Sequence, residues 1–410
     1  MPVETEFNFV SKGSKDVSNF NKKIEPRKDL YQTSYQNNNN IIIINKIDSQ
    51  FITKLFIYFI QQFDMQHRPI VHCLIRKYIL NSKRNPTKIF NQILQCDLRR
   101  YFTSLIGFCY EFGIGTIVDN KLAYEMYISA TQDNIENSLG LDGLDATLRS
   151  NTTLSVNNIE TLLSPIFLKS YRINNHFIGQ FCLSSMFYYG KYVKKDETRS
   201  FLLLSTLTQE GSVRAQVTLG ECYYEGSGIK KDEKKAFKLV ASSAKKGNLV
   251  GKFLLGYCYQ KGIGVEEDIK LGFQWYLEAA EGGNINSMHR VGDCYYDGRG
   301  TPKDDKKALE YFIKSAEEGL DVAWTDVGFC HLNGVGTEGS IRDENKAFKY
   351  YLKSAEDGSA YGQCKVGLCC IHGLGTKFNI EKAIYWLNKS KENGNTDAER
   401  LLSEFIIMLI

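Results

Sequence analysis

The chain is 410 residues long, 12% aromatic and 24% charged, with a formal net charge of +4. That length admits several domains, but so weak a charge gives no reason to expect nucleic acid or an anionic membrane surface as a partner. The start, MPVETEFNFVSKGSKDV, has no apolar core behind a basic segment, and the apolar stretch from Phe51 to Ile60 is short and interrupted by Lys54. Neither secretion nor a membrane span is expected, and the expected compartment is the cytoplasm.

Residues 1–46 are polar and rich in Asn, Lys and Ser, closing with Asn37 to Asn40 and Ile41 to Ile44. Such composition predicts a disordered arm. Over 47–100 the spacing turns helical. Ile47, Phe51, Leu55 and Phe59 step by four, and His72, Ile75 and Ile79 follow Pro69. Asn85 before Pro86 reads as an N-cap with proline in the first helical position, ahead of Ile89, Ile93 and Leu94. Three short helices are expected, packed as a cap on the segment that follows.

From there a period of thirty-six residues governs the chain. Gly220, Gly256, Gly292 and Gly328 are equally spaced, and a small insertion moves the next anchor to Gly367. An aromatic recurs three residues after the anchor (Tyr110, Phe187, Tyr223, Tyr259, Tyr295) and glycines recur at plus six and plus eight (Gly226 and Gly228, Gly262 and Gly264). An Asp follows at plus twelve (Asp119, Asp196, Asp232, Asp268, Asp304) and a small residue at plus sixteen (Ala123, Ser200, Ala236, Gly272, Ala308). The template fits units anchored at Gly107, Ser184, Gly220, Gly256, Gly292, Gly328 and Gly367, and a fixed period of this size marks a solenoid. The first unit fills 101–134, and six more run consecutively over 176–395. Between them, 135–175 loses the register and is open to two readings, an insertion or a decayed repeat, with helical spacing from Ile159 to Tyr171. Residues 396–410 form an apolar C-terminal helix carrying Leu402, Phe405, Ile406, Met408, Leu409 and Ile410, which either folds back on the stack or meets a partner.

Each unit reads as two antiparallel helices. Ala215, Leu219, Cys222 and Tyr223 make one apolar stripe, Gly226 and Gly228 supply the backbone angles of a tight reversal, and Asp232 caps a second helix striped by Ala236, Leu239, Val240 and Ala244. Gly247, Gly283, Gly319, Gly358 and Gly394 end the second helices. Small residues at the anchor and at plus sixteen let two backbones approach. The column at plus nineteen, Met126, Leu203, Leu239, Trp275, Tyr311, Tyr350 and Trp386, is expected to be the core. Of eleven cysteines, six recur at plus two: Cys109, Cys222, Cys258, Cys294, Cys330 and Cys369. Equivalent positions in stacked helices lie about 8–10 Å apart, beyond the roughly 7 Å Cα separation of a disulfide, so reduced, buried thiols are expected.

The L-G-x-x-Y stretch, the G-x-G turn, the Asp and the closing A-x-x-G resemble the Sel-1-like repeat family, a relative of the tetratricopeptide repeat. The match is closest over Ala215 to Gly319 and covers roughly 101–395. Ser184, Tyr192, Ser200 and Thr208 depart from it in the second unit, as do His331, Cys370 and Lys391 later on. The resemblance implies an all-α fold, a right-handed superhelical solenoid of helix pairs that binds other proteins, with members acting as scaffolds in signalling and complex assembly. Alternatives within the family are a regulator of a membrane enzyme, such as a chitin synthase activator, or an adaptor in endoplasmic-reticulum-associated degradation.

No residue pattern argues for catalysis. The Gly-x-Gly turns lack the Lys-Ser/Thr or third glycine of a phosphate loop, and the histidines show no pair at helical ligand spacing. The acids at Glu266 to Asp268 and at Asp304 and Asp305 suit helix starts, and no Ser-His-Asp or Cys-His arrangement is recognisable. A non-enzymatic protein with no metal, cofactor or small-molecule substrate is expected, meeting membranes only through a partner. By the family resemblance, the first-helix positions at minus three, plus one, plus four and plus five line a concave groove. Those positions supply Tyr188, Glu221, Tyr224, Glu225, Tyr257, Asp293, Tyr296, Asp297, Phe329 and Leu332 as candidate contacts for a protein or peptide. Aromatics interspersed with carboxylates suit a peptide with apolar and basic side chains.

Overall fold

The structure, a computed structural model, describes residues 46–96, 99–132 and 165–409. The polar arm, all but its last residue, and most of the 135–175 segment lie outside the described residues. So do the side chains of Phe405, Ile406, Met408 and Leu409, and Ile410 altogether. Among the described residues every regular element is a helix. They fall into two compact units, one over Ile44–Asp304 and one containing Asp305–Ile410.

The first unit begins with α1 (Lys46–Met65), α2 (Arg68–Asn81) and α3 (Pro86–Gln95). Helix pairs follow: α4 and α5 (Thr103–Phe112, Asn120–Gln132), α6 and α7 (Pro165–Tyr189, Glu197–Gln209), α8 and α9 (Val213–Glu225, Glu233–Lys245), then α10 and α11 (Leu249–Lys261, Ile269–Glu281). It ends with α12 (Ile285–Asp297). Pro165 is the first described residue of α6, and the residues before it, from Ile159 on, lie outside the described residues. The second unit holds α13 (Asp305–Glu318), α14 and α15 (Ala323–Asn333, Glu344–Glu356), α16 and α17 (Ala360–His372, Ile380–Glu392) and α18 (Thr396–Leu409).

Capping explains where these helices start and stop. Asp196, Asp232, Asp268, Asp343 and Asn379 each accept the backbone amide three residues on at 2.8–2.9 Å, a cap worth about 1 kcal/mol. Gly226, Gly262, Gly298, Gly334 and Gly373 close the first helices in left-handed backbone. The plus-eight glycine has a second duty. At Gly264, with φ of 67°, a Cβ would run into the Glu233 carbonyl at the start of the preceding second helix. Gly228 meets Glu197 in the same way, Gly300 meets Ile269, and Gly375 meets Glu344. Each turn therefore seats directly on its neighbour's backbone. Tyr192 holds the equivalent place at φ 64° despite its side chain.

The buried column is not the expected one. Met126, Leu203, Leu239, Trp275, Tyr311, Tyr350 and Trp386 are half-buried. The core is the next residue along, Tyr127, Leu204, Val240, Tyr276, Phe312, Tyr351 and Leu387, all 4% exposed or less. The physical reason is the anchor glycine. A Cβ on Gly256 would lie 2.8 Å from the Tyr276 ring, and Gly107, Gly328 and Gly367 stand the same way against Tyr127, Tyr351 and Leu387. The plus-twenty side chain lies across its own partner helix where only glycine leaves room.

Aromatic pairs join consecutive repeats in the first unit. Phe201, Phe237 and Phe273 each meet the plus-three tyrosine of the following repeat edge-on, Tyr223, Tyr259 and Tyr295, at 5.4–5.6 Å between ring centroids. Such pairs contribute about 0.5–1.5 kcal/mol beyond burial. Phe90 makes the same edge-on contact with Tyr110 at 5.0 Å, and Gly115 abuts the Pro86 carbonyl. Helix α3, capped by the Asn85 side chain, thus stands where the second helix of a repeat would stand.

Candidate partner-binding face

The first helices of the repeats present positions minus three, plus one, plus four and plus five, and in the early repeats the chain's own N-terminal helices occupy them. Phe59 of α1 packs on Phe108 at 5.1 Å, and Phe63 meets Phe181 edge-on at 5.4 Å. His72 of α2 stacks on Phe112 at 4.9 Å. Ile52, Leu55, Phe56 and Phe59 are fully buried, so the stripe stepping by three and four along α1 is spent inside the molecule.

The elbow between α1 and α2 is fastened by polar contacts. Asn284, the N-cap of α12, donates Nδ2 to the Met65 carbonyl at 3.0 Å, and Asn248, the N-cap of α10, donates to the Asp64 carbonyl at 3.3 Å. Gln66 donates to the Gly283 carbonyl at 2.7 Å and accepts from the Ile285 amide at 3.1 Å. These bonds satisfy carbonyls that the end of α1 leaves without helical partners. His67 lies edge-on to Phe253 at 5.1 Å and bonds through Nδ1 to Asn286 Nδ2 at 2.8 Å. Burial pushes its imidazole down to about 3, with Arg214 adding to the effect, so it stays neutral.

Beneath the elbow, Arg68 pairs with the fully buried Glu111 and donates to Ser185 Oγ at 2.6 Å. Tyr127 donates to Glu111 at 2.8 Å and Lys191 at 3.2 Å. Burial alone would raise the Glu111 carboxyl, but Arg68 and Lys191 hold it below the usual carboxylate range.

The candidate residues fall beyond this covered stretch. Tyr188 donates to Glu225 Oε2 at 2.7 Å, and Ser227 shares that oxygen at 3.3 Å. Burial pushes the half-buried Glu221 carboxyl up to about 7, against the pull of Arg214. Lys231 lies over the Tyr224 ring at 4.9 Å and Lys303 over the Tyr296 ring at 5.2 Å. Asp293 accepts from Arg290 at 3.2 Å, Asp297 pairs with Arg299 at 3.3 Å, and Tyr257 is half-buried. All of these belong to the first unit. Phe329 and Leu332 belong to the second, where Phe329 is exposed and Leu332 half-buried. Tyr189, absent from the candidates above, is 38% exposed beside Tyr188 with its ring 4.9 Å away. Its signal was its plus-five position, where the neighbouring repeat has Glu225.

The cysteines of the plus-two column are free and buried, and burial pushes their thiols up to about 12, so none is a thiolate nucleophile at neutral pH. Among the described residues no three His, Cys, Asp or Glu side chains are grouped to hold a metal ion.

The Sel1 repeat family model matches residues 104–134, 178–211, 213–248, 250–284, 285–320, 325–359 and 360–395. Among solved structures, the chain is similar to a Sel1 repeat protein from Oxalobacter formigenes, with 28% identity over 55% of this chain and 86% of that one and a TM-score of 0.47. It is also similar to c5321, a protective antigen present in uropathogenic Escherichia coli strains displaying an SLR fold, with 23% identity and a TM-score of 0.44. That match covers 88% of this chain and 65% of the other. No curated protein matches.

Proposed function

Because this chain belongs to the Sel1 repeat family, whose members are generally protein-interaction scaffolds, we propose that it is a non-enzymatic adaptor that holds a partner protein or peptide on the first-helix face. The single observation that carries this reading is the seating of α1. An amphipathic helix with its large apolar residues three and four apart already lies on the minus-three and plus-one positions of the early repeats. The continuation of that face, through Tyr188, Tyr189, Glu221, Tyr224 and Tyr257, offers a second segment the same register with added carboxylates. A role in signalling or complex assembly, in the cytoplasm, fits such an adaptor, and no helix among the described residues is long and apolar enough to cross a membrane.

Proximity labelling in the native cell names the partners, and a pull-down with Tyr224, Tyr257 and Tyr296 changed to alanine tests the face. Loss of those partners, with the helical circular dichroism unchanged, is the expected result. Retention of every partner would remove the face from consideration.

A further inference from the structure

Where the covered and uncovered stretches of the face meet, a buried arginine has neither a hydrogen bond nor an ion pair to any of the described residues. Arg214, in the first turn of α8, is 8% exposed, and its Nε and Nη1 are sealed from solvent without a hydrogen-bond acceptor. Its guanidinium lies over the Phe181 ring at 5.5 Å. The carboxylates that act on it, Glu221 and Asp64, do so through space, and among the described residues none makes an ion pair with it. Arg68 next to it shows what a satisfied guanidinium looks like here, paired with Glu111 and bonded to Ser185.

Neighbouring charge does not supply the missing anion. Glu111 is already shared by Arg68, Lys191 and the Tyr127 hydroxyl. Burial holds the Glu221 carboxyl near half protonation at neutral pH, and Asp64 is exposed at the end of α1. Arg214 itself keeps its proton at any ordinary pH. A guanidinium taken out of water without acceptors is costly, and the same group against a carboxylate forms two parallel charge-assisted bonds. Among the described residues no hydrogen bond or ion pair fixes the Arg214 guanidinium, and to meet a partner's carboxylate it has to turn away from the Phe181 ring.

We infer that Arg214 is the receptor for a carboxylate of the bound partner, received side-on by the planar guanidinium once the side chain turns out of its buried position. This rests on the reading of that face as the binding surface, and it names a chemistry that surface must recognise. The carboxylate comes from an Asp or Glu side chain or from a chain terminus. Its planar pair of oxygens matches the guanidinium fork, which a lysine in this place would not reproduce.

The test is thermal unfolding of the full chain, wild type against Arg214→Met and Arg214→Lys, in sodium succinate and in sodium chloride at equal ionic strength. Wild type is expected to gain a saturable rise of about 2–4 °C in succinate over chloride. Arg214→Met should melt at or above wild type in chloride, since the unmatched charge is gone, and should show none of the saturable rise. Arg214→Lys, which keeps the charge and supplies a second variant should Arg214→Met not fold, should lose most of it. Two probes at the same concentrations separate the sources: acetyl-trialanine with a free terminal carboxylate, and acetyl-Ala-Glu-Ala-amide. Protection by either one, absent in the variants, supports the assignment. An equal response in wild type and variants overturns it, as does a rise with inorganic phosphate but with none of the carboxylates. These readouts need no partner, so they stand apart from the pull-down on Tyr224, Tyr257 and Tyr296, and failure of one leaves the other interpretable.

Discussion

Two stretches of one face, built on the same register, have opposite fates. In the early repeats the minus-three, plus-one and plus-five places hold Phe181, Phe108 and Phe112, and the chain covers them with α1 and α2. A few helices on, the plus-one and plus-five places hold Glu221, Glu225, Asp293 and Asp297, which are half-buried or exposed. Position on a first helix therefore does not make a residue core or surface. What decides it is whether a distant part of the chain returns to that place, and residue type follows. Phenylalanines stand where the cover is intramolecular, and tyrosines with carboxylates are frequent where α1 and α2 do not reach.

The difference is largest in energy at the covered end. Phe59→Ala removes a fully buried ring that touches Phe56, Phe63 and Phe108, and should cost about 3–5 kcal/mol in urea unfolding. Tyr296→Ala on the uncovered stretch should cost far less in the same assay, and equal losses would erase the distinction. Gly264→Ala strikes the scaffold under both stretches. It puts a side chain at φ 67° into the Glu233 carbonyl, and should cost about 2–4 kcal/mol.

Smaller, and signed by pH, is Glu221→Gln. The folded carboxyl titrates near 7, above the 4.5 of an unperturbed glutamate, because burial penalises its charge. The folded state therefore holds the proton more tightly than the unfolded one, and wild type loses stability as pH rises from about 4.5 through 7. At about pH 4, below the unfolded value, the variant and wild type should melt together. At pH 8 Glu221→Gln should be the more stable by about 1–2 kcal/mol, the partial exposure of the group having reduced the effect. Melting curves that differ equally at both pH values would show that Glu221 is not confined as described.

The helix pairs are legible in sequence because their causes are local. Asp232 accepts an amide three residues away, and Gly226 takes a left-handed turn beside its own helix. The core column needs one piece of information more. Tyr276 and Trp275 have equal claims as apolar residues, and only the direction of the Gly256 backbone, which leaves space for one of them, separates the two. Phe90 and Asn85 carried the marks of a repeat's second helix, but no glycine ruler stands before them, so the likeness emerges only where Gly115 meets Pro86. Arg214 was out of reach for another reason. An arginine two residues after a Ser N-cap reads as solvent-facing, and its surroundings include Asp64, His67 and Arg68, far away along the chain.

The smallest effect bears most directly on what keeps the cover in place. Ser212 and Ser359 cap their helices through Oγ, and Asn248 and Asn284 cap through Oδ1, so the cap alone does not require an amide side chain. What asparagine adds is Nδ2, which both of these residues turn toward the end of α1. Asn284→Ser keeps an acceptor for the Ser287 amide and gives up the bond to the Met65 carbonyl, a loss of about 0.5–1.5 kcal/mol. Hydrogen exchange should then quicken at the amides of the elbow, around residues 66–70, and stay unchanged in α9. Unaltered exchange at the elbow would mean that the apolar stripe of α1 holds the cover unaided, and that the two asparagines serve only their own helices.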